Sequence, residues 1–264
     1  MSDAWGSPGQ RPQRSRLDPR VLFWVGVVAV VFVVLGATHH VSSSTVIYLC
    51  VLIPSAVLHE IAHGAVANLL GDDTAKRAGR LSLNPVRHLD PLGSIILPGM
   101  LVLSSALSGG APLAFGWAKP VPVNMSRLRH PRNGSIWVSL AGPATNALLL
   151  VVCGLLFRYW LHHNLFLPPG ATTYPLAYQV LIYGGLANIT LCVFNLLPIP
   201  PLDGSVLIER LLPPRALGQY FRLRPYGMLL VFVIAFVGLR NPAVQSHLFD
   251  GELHLWNAVS GAAL

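Results

Sequence analysis

Residues 45–70 read TVIYLCVLIPSAVLHEIAHGAVANLL, an apolar run long enough to cross a bilayer, with His59, Glu60 and His63 set inside it. On an α-helix, positions four apart share a face. His59 and His63 can therefore offer imidazole nitrogens to one metal ion, with Glu60 beside the position they leave open. The pattern HEIAH has only three fixed letters and arises by chance, but its setting gives it weight. Soluble zinc proteases carry the motif on a helix with one polar face, whereas both flanks here are apolar. A carboxylate and two imidazoles at bilayer depth are costly unless paired or bound to a metal. The plainer alternative is a buried His-Glu-His cluster that only packs helices together. Intramembrane ionisable groups are functional by default, which favours the metal.

Composition points to the same solvent. Hydrophobic residues make up 53% of the chain and charged residues 11%, while a soluble domain carries about a quarter charged residues. The net charge of +8 does not imply nucleic acid, because the basic residues form no single patch and have no interleaved aromatic platform. Cys50, Cys153 and Cys192 lie in apolar runs and read as packing residues rather than as a disulfide frame or zinc ligands.

The fold class expected is an all-α polytopic membrane protein with about six transmembrane segments. Long apolar runs lie at 21–37, 46–70, 136–157, 177–197 and 226–239, and a shorter one at 92–107 contains Gly93, Pro98 and Gly99. Residues 1–20 read as a disordered basic cytosolic tail, since a signal peptide would have its apolar core earlier. Residues 21–240 read as the transmembrane domain, and 241–264 as a C-terminal tail able to form an interfacial helix.

Sixteen of the eighteen Lys and Arg residues fall in four groups: the tail, 76–87, 119–132 and 210–224. Short cytosolic loops collect such residues, which puts the N-terminus inside. The groups on either side of 92–107 then share one face of the membrane, so that segment is expected to enter and return, with 108–114 as the way back. Proline and glycine suit a broken element of this kind. The alternative is an ordinary span with a second crossing nearby.

This topology places HEIAH toward the cytosol, at the depth where the run 177–197 ends in NLLPIPPLDG (195–204). Of ten acidic residues, Glu60 and Asp203 border strongly apolar helices near that depth. Asp203 is thus the candidate third ligand, because two imidazoles and one carboxylate leave a fourth position for water, as in catalytic zinc sites. Pro198, Pro200 and Pro201 cannot continue the helix, so an extended segment is expected to turn Asp203 back toward the histidines. The alternative is that Asp203 caps a following helix over 205–212.

Taken together, HEIAH and NLLPIPPLDG resemble the two signature elements of the site-2 protease family of intramembrane zinc metalloproteases. GRLSLNPVRHLDPLG (79–93), GWAKPVPVN (116–124) and SLAGPATN (139–146) fit between them in order and spacing. The resemblance implies a zinc ion (Zn2+) on His59, His63 and Asp203, with Glu60 as general base. It further implies a membrane-associated β region over 79–84, whose edge near 81–83 could hold an unwound substrate by strand addition. It also implies that Asn146 and Asn195 hold substrate backbone or an oxyanion; a hydrogen bond between helices is the equal alternative for each. His88, in a basic loop, reads as structural rather than as a fourth ligand. About sixty residues follow Gly204, so a minimal member without a PDZ or nucleotide-sensing domain is expected.

The activity implied is hydrolysis of peptide bonds in or near transmembrane helices, with transmembrane proteins as substrates, the lipid bilayer as surroundings and no nucleic acid. The competing class is a polytopic metal transporter or a non-catalytic membrane chaperone, which would use the same ionisable residues without needing Glu60 as a base.

Overall fold

The computed structural model describes residues 42–90, 93, 118–163, 174–238 and 241–262. The expected tail 1–20, the span over 21–37 and, apart from Gly93, the re-entrant segment 92–107 with its return lie outside the described residues.

Helix α1 (Ser43–Leu69) is 27 residues long, about 40 Å at the usual rise, and so exceeds the hydrocarbon thickness of a bilayer. Ser42 caps it by accepting the Thr45 N–H at 3.3 Å, and Gly71, at φ 110°, turns the chain away from its far end. A four-residue helix, α2 (Thr74–Arg77), follows. Helix α3 (Pro131–His162, 32 residues) starts on a proline, where no N–H is needed. Helix α4 (Leu176–Asn195) is followed by a short α5 (Ser205–Leu211), α6 (Pro214–Gly238) and α7 (Pro242–Ser260). Three of these, α1, α3 and α4, are long and apolar enough to cross a membrane, so the chain reads as a multi-pass membrane protein. Of the expected run 226–239, residues 226–238 form the latter part of the longer α6.

Helix α3 packs against both α1 and α4, and α1 also meets α4. This three-helix unit positions the histidines, since α1 carries them, α3 forms the wall they face and α4 packs against both helices. At the far end of α3 a second core gathers Phe157, Tyr178, Leu181, Leu186, Ile189 and Trp256, with aromatic rings edge to face. Centroid separations of 5.4 Å for Phe157 with Tyr178 and with Trp256 lie in the favoured range for such pairs.

One expectation is corrected. Residues 79–84 form no strand, and none exists among the described residues: Arg80 donates to the carbonyls of Arg87, Lys119 and Pro120, and His88 Nε2 reaches the Ser82 carbonyl at 2.9 Å. Within 79–84, side chains take two carbonyls that a ladder would otherwise use: Gly79 O accepts from Arg87 at 2.7 Å, and Ser82 O meets His88. In the C-terminal stretch, α7 packs against α3 and α4. Glu252 meets Thr190, Trp256 sits on Gly185, and Val259 reaches Gly154. Thus α7 runs antiparallel to α4 and parallel to α3. Burying the whole Trp256 side chain, whose ring occupies the space a Cβ on Gly185 would fill, holds it there.

Candidate metal centre

The site begins with the helical repeat. His59 and His63, four apart on α1, bring their ring centroids to 4.7 Å, nearly perpendicular to each other. Both side chains are buried. Asp203 reaches them from the loop after α4: its Oδ2 lies 3.1 Å from His59 Nε2 and 3.2 Å from His63 Nε2, and the two Nε2 atoms are 3.0 Å apart. The three expected ligand residues therefore converge, and they form a group able to hold a metal ion.

Their spacing and protonation fit a tetrahedral cation. Zinc bonds of about 2.0–2.1 Å place neighbouring ligand atoms about 3.3 Å apart, close to the observed triangle. Both imidazoles turn their other nitrogen to an acceptor: His59 Nδ1 is 2.5 Å from Asn146 Oδ1, and His63 Nδ1 is 2.6 Å from the Val138 carbonyl. Each Nδ1 thus carries a proton and donates it. In the neutral rings each Nε2 is then a lone pair. Two lone pairs and a carboxylate facing one another repel without a cation. A proton on one ring serves part of the triangle, whereas a divalent ion serves all three corners.

Helix α3 makes this approach possible through one stripe. Val138, Gly142 and Asn146 lie four apart, with Gly142 between the two residues that receive the imidazole protons. A Cβ on Gly142 would stand 2.5 Å from His59 Nε2 and from His63 Nε2, so only glycine leaves room for the ligand atoms. Pro143 next to it removes one intrahelical hydrogen bond, which a packed membrane helix tolerates.

Asp203 is delivered by a compact loop. Contrary to the expected extended run, residues 196–204 form successive turns, in which Leu202 N–H donates to Ile199 O and Gly204 N–H to Asn195 O, at 2.9 and 2.7 Å. The closure brings Gly204 against the Leu196 carbonyl, where a Cβ would lie only 2.1 Å away. The capping alternative does not hold. Helix α5 starts without a side-chain cap, and the Asp203 carboxylate turns to the histidines.

Glu60 lies next to His59 on α1 and accepts the Val121 N–H on Oε2 at 2.9 Å. Val121 belongs to a proline-flanked segment fastened at several points: Lys119 N–H to the His88 carbonyl, Arg80 to the Lys119 and Pro120 carbonyls, and Asn124 N–H to Asp72 Oδ2 at 2.6 Å. Burial lowers the Arg80 guanidinium below its ordinary pKa, an effect that the nearby Glu60 carboxylate opposes. For Asp72, burial raises the carboxyl, but hydrogen bonds from Thr74 and Asn124 outweigh it and hold the group below the usual aspartate value.

The remaining expected residues separate. Asn146 stands behind the His59 ring, with its amide nitrogen given to Asn188 at 2.7 Å. Asn195 donates to the Leu191 carbonyl of its own helix at 2.9 Å. His88 is buried in the loop, away from the triangle, as a structural residue. The sequence reading missed Gly142, the Val121 N–H and Asn188. An amide inside the apolar run GLANITL (185–191) was the available signal for Asn188, the same signal that marks Asn146.

Known proteins resemble this chain over most of its length. YwhC of Bacillus subtilis (strain 168), named as a candidate zinc metalloprotease, is 41% identical over 186 residues, which cover 70% of this chain and 78% of YwhC. Rip2 of Mycolicibacterium smegmatis, named in the same way, is 29% identical over 257 residues, 93% of this chain and 89% of its own length. Rip2 of Mycobacterium tuberculosis (strain H37Rv) is 28% identical over 191 residues, 68% of this chain and 62% of its own length. No protein-family model and no solved structure matches the chain.

Proposed function

Because the chain belongs to the site-2 protease family of zinc metalloproteases, we propose that it is an intramembrane zinc endopeptidase that cuts peptide bonds within or near the transmembrane helices of other membrane proteins. The observation that carries this reading is the triangle of His59, His63 and Asp203, with edges of 3.0, 3.1 and 3.2 Å, beside Glu60 on an apolar helix.

His59, His63 and Asp203 are the zinc ligands in this reading. Zinc held there supplies an activated water and polarises the scissile carbonyl. Glu60 accepts the proton of the attacking water and returns it to the leaving amine. The Val121 N–H fixes the Glu60 carboxylate by its Oε2, which orients the base. A helical substrate keeps its carbonyls in intrahelical hydrogen bonds, so the segment to be cut must unwind first. Substrates with helix-breaking residues in their spans are favoured for that reason. The distribution of Lys and Arg among the loops supports a cytosolic N-terminus and an active site opening toward the cytosolic side.

The test uses the purified full chain and a peptide containing a transmembrane segment. Glu60→Gln is expected to retain zinc and to lose cleavage. A metal transporter would instead keep metal flux into vesicles after the same change, and cleavage that survives Glu60→Gln would sink the protease mechanism.

A further inference from the structure

A polar chain runs behind the metal centre, across three helices. His59 Nδ1 contacts Asn146 Oδ1 at 2.5 Å. Asn146 Nδ2 donates to Asn188 Oδ1 at 2.7 Å, and Asn188 Nδ2 donates to the Gly184 carbonyl at 2.8 Å and to Ser55 Oγ at 3.0 Å. Asn146 is fully buried and Asn188 nearly so, at 0% and 2% exposure, so bulk water does not compete for these amides. Helix α4 thereby contributes to the centre through a residue that touches none of the three ligand atoms.

The chain has a direction, and its far end sets it. A backbone carbonyl only accepts, so Gly184 O requires the nitrogen of Asn188 to face it. Asn188 must then turn its oxygen toward Asn146. Asn146 answers with its nitrogen and turns its own oxygen toward His59, which accepts only from Nδ1–H. A proton on Nδ1 leaves Nε2 of the neutral ring as a lone pair, the form a metal needs. Reversing both amides would put the Asn188 oxygen 2.8 Å from the Gly184 carbonyl and face His59 Nδ1 with N–H donors. The imidazole would then carry its proton on Nε2, pointed at Asp203. His63 needs no relay, because Nδ1 meets the Val138 carbonyl directly.

We propose that Asn188 is a positioning residue of the metal centre: anchored on Gly184 O, it fixes through Asn146 the ring tautomer in which His59 offers its Nε2 lone pair to the metal. The inference rests on the zinc reading above and adds a residue from α4 to it. Outer partners of this kind usually change metal affinity by about 10- to 100-fold when removed.

Zinc affinity of the purified full chain, measured by competition with a chelator, tests it with two variants. Asn188→Leu removes the relay and is expected to weaken zinc binding by about 10- to 100-fold. Asn188→Asp, as a neutral acid, still presents C=O to Asn146 and O–H to Gly184 O, and should bind within about threefold of the unmodified protein. Equal affinity for Asn188→Leu and the unmodified protein overturns the proposal, as does equal weakness of the two variants. If Asn188→Leu fails to fold, nitrogen NMR of the metal-free, ring-labelled, unmodified protein decides. A neutral His59 protonated at Nδ1 supports the relay, and one protonated at Nε2 overturns it. Failure of the zinc reading itself looks different, because zinc would then be absent from the unmodified protein or indifferent to Asp203→Ala.

Discussion

Replacing Gly142 with alanine is the sharpest local test of the site, because two physical expectations for it have opposite signs. In a helix interior, alanine is favoured over glycine by about 0.5–1 kcal/mol, so backbone propensity alone predicts a slightly more stable protein. The site predicts damage. The added carbon would lie 2.5 Å from His59 Cε1, His59 Nε2 and His63 Nε2, while ordinary carbon contacts need roughly 3.5 Å, so something must move by about 1 Å. Helix α3 cannot retreat without losing its grip on the rings. Val138 and Asn146, which receive the two imidazole protons, sit one turn to either side of Gly142 on the same helix. The imidazoles must therefore leave their places beside Asp203. A misplacement of about 1 Å costs on the order of 100-fold in rate, so kcat/KM for a transmembrane peptide should fall by roughly that factor or more. Zinc content and chelator competition, measured on the same preparation, should fall with it. A Gly142→Ala protein with unmodified zinc content and cleavage within about threefold of the starting protein would refute the placement of both histidines.

Two further outcomes concern the frame. Trp256→Ala empties the aromatic core between α3, α4 and α7 and should cost about 3–5 kcal/mol, read as a lower midpoint in thermal or denaturant unfolding in detergent. Asp72 contributes stability that depends on pH. Its folded pKa is held below the ordinary aspartate value, so the contribution is present above that ordinary value and lost as pH falls from there through the lower folded value. Melting curves should drop along this acid limb, and Asp72→Asn should flatten the limb while lowering stability at neutral pH by about 1–3 kcal/mol.

The candidate metal centre was legible in the sequence because its potential donors are chemically rare in their surroundings. His59, Glu60 and His63 stand out in an apolar helix, and Asp203 is the acidic residue that ends a second apolar run at matching depth. Helix spacing and loop charge suffice to bring such groups together. What supports the donors was harder to read. Gly142 matters for the volume it leaves empty, and Val121 acts through a backbone N–H that every non-proline residue possesses. The strand over 79–84 was implied only by the resemblance, and the Arg87 and His88 side chains take the Gly79 and Ser82 carbonyls instead. The C-terminal helix was expected from its amphipathic pattern. Its docking depends on Trp256 meeting Gly185, a pairing that no local period encodes.

X-ray absorption at the zinc edge of the purified protein tests the central claim most directly. One zinc per chain is expected, with two imidazole ligands, the remaining ligands light oxygen donors and no sulfur, and with loss of this spectrum in Asp203→Ala. A sulfur ligand from Cys50, Cys153 or Cys192, or protein that holds no stoichiometric zinc, would contradict it.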